Sequence, residues 1–187
     1  MRNVVFAINV SADGCCDHTL FNPDDEVLDY FTRLTREGDI LLYGRKTYEL
    51  MVPYWPDIAK NNSGETNAEN EFAQTFASVP QIIVFSKTLS ESQAKNTTVI
   101  RNNLRDEIQK LKHRPGKNIL TGGVSFPSEL LKLGLLDEIH IVVHPVVTGK
   151  GRRLFDSVNL QENFKLKLVE SQIFKSGCVA LRYLKQG

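Results

Sequence analysis

The chain has little of what disulfide-bonded, metal-binding or nucleic-acid-binding proteins need. Its 187 residues include three cysteines: Cys15 and Cys16 are adjacent and Cys178 is far away. That arrangement gives neither a disulfide framework nor a Cys-x-x-Cys pair, so all three read as small packing residues. Histidine is almost as scarce, with four. His140 and His144 have the spacing of helical zinc ligands, but Glu138-Ile139-His140-Ile141-Val142-Val143 is β-branched and reads as a strand. On a strand, positions four apart lie ~13 Å from each other, too far to share a metal held at ~2 Å. No metal site is expected.

Neither sign of charge is in surplus: 23 Lys and Arg stand against 22 Asp and Glu, a formal net charge of +1. This leaves no electrostatic footprint for nucleic acid or an anionic membrane. No apolar run approaches the ~20 residues that span a bilayer. The opening MRNVVFAINVSADG reads as a first strand and not as a signal peptide. A cytoplasmic location is expected. The apolar and charged fractions, 41% and 24%, are those of an ordinary globular chain, and the length fits one domain over 1–187.

What the sequence does contain is a series of apolar strands, each ending in small or polar residues. The stretch KNILTGGVSFPSELLKLGL, Lys117 to Leu135, reads as a buried strand, the pair Gly122-Gly123 and an amphipathic helix. Paired glycines allow a sharp turn and close approach to the main chain. The helix after them directs unpaired N–H groups toward that turn, which suits a phosphate, although plain close packing explains the pair equally well. A first strand, Val4 to Val10, ends in Ser11-Ala12-Asp13-Gly14. A helix from Asp24 or Asp25 to Arg36 buries Val27, Leu28, Phe31 and Leu34, with Asp24 as its N-cap or as a carboxylate facing a pocket. A second strand, Asp39 to Tyr43, enters a helix through Gly44-Arg45-Lys46-Thr47, and Pro53 and Pro56 are expected to end that helix. Residues 60–70 read as a polar loop, followed by a short helix from Ala68 to Ala77.

A third strand, Gln81 to Phe85, leads into Ser86-Lys87-Thr88, and Thr97 to Ile100 is a minor strand. A helix over Leu104–Lys112 is expected to be capped by Asn103. Alternating strands and helices imply βαβ units and a parallel sheet, with ligands at the carboxyl ends of the strands. The last third is instead strand-rich: Ile139 to Val147, Phe164 to Leu168, and Val179 to Leu184 after a turn at Lys175-Ser176-Gly177. Val142, Val143, Val146 and Val147 look like an exposed apolar surface.

Five segments in this order carry a resemblance: Ser11-x-Asp13-Gly14, ILLYGRKTYE from Ile40, Tyr54-Trp55-Pro56, ILTGG from Ile119, and LLDEIHIVVHPVVTGKGRRLF from Leu135. Together they resemble the dihydrofolate-reductase-like superfamily. Within it the chain is most similar to stand-alone relatives of the C-terminal reductase domain of bacterial riboflavin biosynthesis. The resemblance implies an α/β fold of three layers, α/β/α, with a mostly parallel central sheet of about eight strands plus C-terminal antiparallel strands. It implies NADPH as cofactor, a small-molecule substrate, no nucleic acid or membrane partner, and a homodimer. Carried over by position, Gly44, Arg45, Lys46 and Thr47 would hold the pyrophosphate side, and Ser86 and Lys87 the adenosine 2′-phosphate. Thr121, Gly122, Gly123, Val124 and Ser125 would supply the remaining contacts, with a cis peptide at Gly122–Gly123.

The departures bear on the reaction. Aligning Tyr30-Phe31 with the aromatic pair of the superfamily's first helix puts Val27 where dihydrofolate reductases carry an acid. The remaining candidate proton donors are Asp24, Asp13 and water. The zinc deaminase signature of the bifunctional riboflavin enzyme is absent. The expected activity is transfer of hydride to a small heterocyclic or ribosylaminopyrimidine-type substrate. A non-catalytic nucleotide-binding module and a dihydrofolate reductase are the alternatives.

Overall fold

Val4, Phe6 and Ile8 pack into one hydrophobic core and Val5 into another, so β1 (Val4–Ser11) is covered on both faces. The computed structural model describes residues 1–20, 22–89, 92, 94–160 and 162–186. After β1 come α1 (Asp25–Arg36), β2 (Gly38–Gly44), α2 (Arg45–Asn61), α3 (Asn67–Ala77), β3 (Gln81–Phe85) and β4 (Thr97–Ile100). Then follow α4 (Leu104–His113), β5 (Asn118–Thr121), α5 (Ser125–Lys132), β6 (Glu138–His144), β7 (Leu166–Ile173) and β8 (Val179–Lys185). The strands form one eight-stranded sheet in the order β4-β3-β2-β5-β1-β6-β8-β7. The first six of that order run parallel, and β8 is antiparallel to both its neighbours.

Side-chain alternation along the strands separates two cores. On one face Leu41, Tyr43 and Leu120 meet Leu34 of α1, Tyr48 and Val52 of α2, and Phe72 and Phe76 of α3. On the other, Phe6, Leu42 and Ile119 meet Ile108 and Leu111 of α4 and Leu130 and Leu131 of α5. The three-layer α/β/α expectation is met. Near the amino ends of the strands Arg2 pairs with Asp39, and Lys112 with Asp137 at 2.7 Å. At the carboxyl edge Lys46 and Lys87 have no ion-pair partner among the described residues.

Several local expectations need correction. Pro53 and Pro56 do not end α2, which continues to Asn61. Packing overrides the breaker rule: Trp55 stacks edge-on against Phe72 at 4.6 Å, while Pro53 lies on the exposed side. The loop is therefore short. Asn62 stops α2 in the left-handed region, and the Thr66 side chain caps α3 by accepting from the Glu69 N–H. Asn103 makes no side-chain cap and instead takes φ 58°. β6 stops at His144 because Pro145 has no N–H to continue the ladder. β7 begins at Leu166 and runs to Ile173 with an irregularity between Leu168 and Glu170. Val142 is not surface: it is fully buried with Val27 and Phe174 under α1. In this C-terminal part the exposed apolar residues, among those described, are Val146, Val147, and Leu168, Val169 and Ile173 on the edge strand β7.

Candidate functional site

Two helices start at the carboxyl edge of the sheet without side-chain caps. Gly44 is the N-cap of α2 and Val124 that of α5, and neither makes a side-chain bond to the first turn. Their first-turn N–H groups therefore need acceptors from outside the helix, an arrangement suited to anions. Close packing brings the two starts together. A Cβ on Gly44 would lie 3.0 Å from Cβ of Phe126. A Cβ on Gly123 would lie 2.1 Å from Oγ1 of Thr47, and Gly123 has φ 82°. Gly123 is thus required by the protein itself. Its positive φ makes the turn, and the Gly122–Gly123 peptide is trans, which corrects the expected cis bond.

Gly122 is different. An added Cβ would meet nothing closer than the Ala7 carbonyl at 3.6 Å and Tyr43 Cε1 at 3.9 Å, both ordinary contacts. The protein's own atoms do not require a glycine there. Gly122 lines a cavity of about 890 Å³, large enough for a cofactor and part of a substrate.

That cavity brings together most of the residues singled out in the sequence. Residues 44–47 and 121–125 line it, as do Asn9, Leu28, Phe31 and Arg152. Arg45 shares its charge with Glu49 at 3.2 Å, whereas Arg152 donates to Ser125 Oγ at 2.9 Å across the mouth of α5. Asn9 and Arg152 lie on the first strand and on the Thr148–Arg153 loop, against which the substrate is expected to lie, but neither is singled out by residue. The signal for Asn9 was a lone amide inside an otherwise apolar strand. The Thr121 hydroxyl is buried without a hydrogen-bond partner. Ser86 and Lys87 lie outside the lining, although the pairing of Gly44 with Phe85 puts them one step beyond the same edge. The Ser86 hydroxyl accepts from the N–H groups of Thr88 and Leu89 and so fixes that turn.

The two candidate acids are elsewhere. Asp24 is the N-cap of α1, accepting from the Val27 N–H at 2.8 Å, and lies outside the cavity lining. Asp13 also lies outside it. Its carboxylate accepts from the Ser11 hydroxyl at 2.6 Å, the Thr148 N–H at 3.1 Å and the Gly149 N–H at 3.0 Å, and pairs with Arg153 at 3.3 Å. The Ser11 hydroxyl first, then the Thr148 and Gly149 N–H groups, hold its pKa far below the usual carboxylate range. Asp13 is a clamp for the segment after β6, ionised at neutral pH. Val27 is fully buried, and the side of α1 that meets the cavity offers Leu28, Phe31, Leu34 and Thr35, with no carboxylate.

Polar groups on this face come from the sheet. Tyr43 is 5% exposed, lines the cavity, and its hydroxyl has no partner among the described residues. Burial raises its pKa well above the ordinary phenol value, so it stays protonated. Asn9 Oδ1 lies 3.0 Å from His144 Nε2, and His144 Nδ1 lies 3.3 Å from Cys178 Sγ. At the start of β6, outside the cavity lining, the buried Glu138 receives bonds at 2.6 Å from both His140 and Arg182, and His140 meets the Tyr30 hydroxyl at 2.5 Å. Burial would raise the Glu138 pKa, but those two bonds outweigh it and the net shift is downward. A depression of about 540 Å³ between α2 and α3, with Asp57, Glu65 and Glu69 on its walls, shares Leu50 and Tyr54 with this cavity.

Among known proteins, the family model of the RibD C-terminal domain matches residues 2–180. The uncharacterized protein YyaP of Bacillus subtilis (strain 168) is 33% identical over 190 residues, covering 97% of this chain and 94% of that one. A putative riboflavin biosynthesis protein from Shewanella sp. PV-4 superposes with a TM-score of 0.74 at 22% identity, covering all of both chains. Dihydrofolate reductase from Enterococcus faecalis, solved with NADP(H) and RAB-propyl, superposes at 0.63 with 14% identity over 99% of this chain and 97% of its own. The fold is dihydrofolate-reductase-like.

Proposed function

The chain belongs to the RibD C-terminal domain family, and from that premise we propose that it is an NADPH-dependent reductase acting on a small heterocyclic or ribosylaminopyrimidine-type substrate. One observation carries the reading. Gly122, where an added Cβ would make only ordinary contacts, lines a cavity onto which two uncapped helix starts open. The residues present fit the cofactor. The N–H groups after Gly44 and Val124, with Arg45, Lys46, Thr47 and Ser125, would hold its pyrophosphate. Lys87 would meet the 2′-phosphate that distinguishes NADPH from NADH. When bound, NADPH supplies the hydride, and the protein's part is positioning and electrostatics.

The substrate would lie against Asn9, Tyr43 and the apolar side of α1. The proton that accompanies hydride addition to a C=N or C=O bond would come from water, because burial makes the Tyr43 phenol a poor acid. Asp13 is committed as an acceptor, and Asp24 keeps the cap of α1. Dihydrofolate reduction is disfavoured because no carboxylate of α1 lines the cavity. The same observation favours, as a second reading, a module that binds the nucleotide without turning it over. Loss of nicotinamide absorbance across a panel of pterins, ribosylaminopyrimidines and quinones separates the two. NADPH binding without consumption on any of them would leave only the module. A homodimer across the exposed Leu168, Val169 and Ile173 of β7 is part of this proposal, and a monomer mass by light scattering at micromolar protein would refute it.

A further inference from the structure

Beside β1 a chain of hydrogen bonds runs from the core into the cleft. Cys178 Sγ is 3.3 Å from His144 Nδ1, and His144 Nε2 is 3.0 Å from Asn9 Oδ1. His144 and Cys178 are each 4% exposed, so solvent does not compete for these groups. The chain has a direction. An amide oxygen only accepts, so Nε2 carries the proton and donates to it. In the neutral ring Nδ1 then carries no proton and accepts from the Cys178 thiol. Burial lowers the His144 pKa, against an opposing pull from Asp24, which is consistent with a neutral ring. With its oxygen committed, the Asn9 amide has its NH2 group left over. That group has no partner among the described residues, and Asn9 lines the cavity.

We infer that Asn9 is a specificity-determining residue: locked by the Cys178–His144 relay, it presents N–H to the cleft and selects a heterocycle bearing a hydrogen-bond acceptor, such as a lactam carbonyl, over one bearing an amino group. The neighbouring cavity walls at Leu28 and Phe31 are apolar, so a ligand that placed a donor against Asn9 would bury two opposed donors without relief. His144 and Cys178 are positioning residues: His144 holds Asn9, Cys178 holds His144, and neither lines the cavity. Only the statement that this ligand is the substrate rests on the reductase reading.

The test uses the full chain and two ring-matched probes, pyrimidin-4-one and 4-aminopyrimidine, titrated with and without NADPH. Heteronuclear NMR of His144 should show the proton on Nε2. The pyrimidinone should bind roughly tenfold or more tightly than the aminopyrimidine, and Asn9→Asp, which puts an acceptor in the same place, should abolish or reverse that order. A proton on Nδ1, or equal or undetectable binding of both probes to the unaltered protein, overturns the inference. The NADPH titration reads separately. Its failure would remove the reductase reading, while the order of the two probes would still decide the role of Asn9.

Discussion

Replacing each member of the glycine pair by alanine should separate stability from binding. At Gly123 the methyl group must adopt φ 82° and lie 2.1 Å from Thr47 Oγ1. The left-handed backbone costs a side-chain-bearing residue about 1–2 kcal/mol, and overpacking against the first turn of α2 adds about 1–3 kcal/mol. The sum, about 2–5 kcal/mol, corresponds to a fall in Tm of roughly 4–20 °C for a chain of this size. At Gly122 the nearest atoms would be 3.6 and 3.9 Å away, so the same methyl should change stability by no more than ~0.5 kcal/mol. It would instead occupy space in the cleft and weaken NADPH by about 1–3 kcal/mol, roughly 5- to 150-fold. Thermal melts and calorimetric NADPH titrations on the two variants give both readouts. A Gly122→Ala protein that is stable and binds NADPH like the unaltered chain would refute the assignment of that space to the cofactor. An undiminished Tm in Gly123→Ala would refute the packing argument.

Three further outcomes follow from the same geometry. Asp13 has a depressed folded pKa, so its stabilisation is present above the unfolded value of about 4 and is lost as pH falls through and below it. Asp13→Asn should therefore melt lower at neutral pH and show a flatter decline below pH ~4; an unchanged acid limb would contradict the clamp. Glu138→Ala should cost about 3 kcal/mol, at the low end for a broken buried pair because Arg182 is partly in water; denaturant melts that match the unaltered chain would exclude that role. Lys87→Ala should weaken NADPH selectively by ~1–3 kcal/mol, and an equal loss for NADH would count against a 2′-phosphate contact.

The layered fold was legible because its signals are local and periodic. Apolar strands covered on both faces, each followed by an amphipathic helix, point to a parallel sheet, and the switch to alternation at Leu166 and Leu168 marks the antiparallel end. The glycine-bearing strand ends were legible for the same reason. What escaped depends on tertiary contacts. Pro53 and Pro56 sit inside α2 because Trp55 and Phe72 hold the helix past them. Asp13 looks like an acid in sequence, and only the fold brings Thr148, Gly149 and Arg153 to occupy it. Val142 looks like surface until α1 covers it with Val27. The partners of polar residues within buried strands also escape the sequence: Asn9 on β1, and Glu138, His140 and His144 on β6, each find a partner on another element or along the same strand.

The central claim is that the cleft at the glycine pair is a dinucleotide site. Calorimetric titration of the unaltered chain with NADPH and, in parallel, with NADH tests it most directly. Saturable binding of NADPH, tighter than NADH and weakened by Gly122→Ala, is the expected result. No NADPH binding at millimolar cofactor would contradict it.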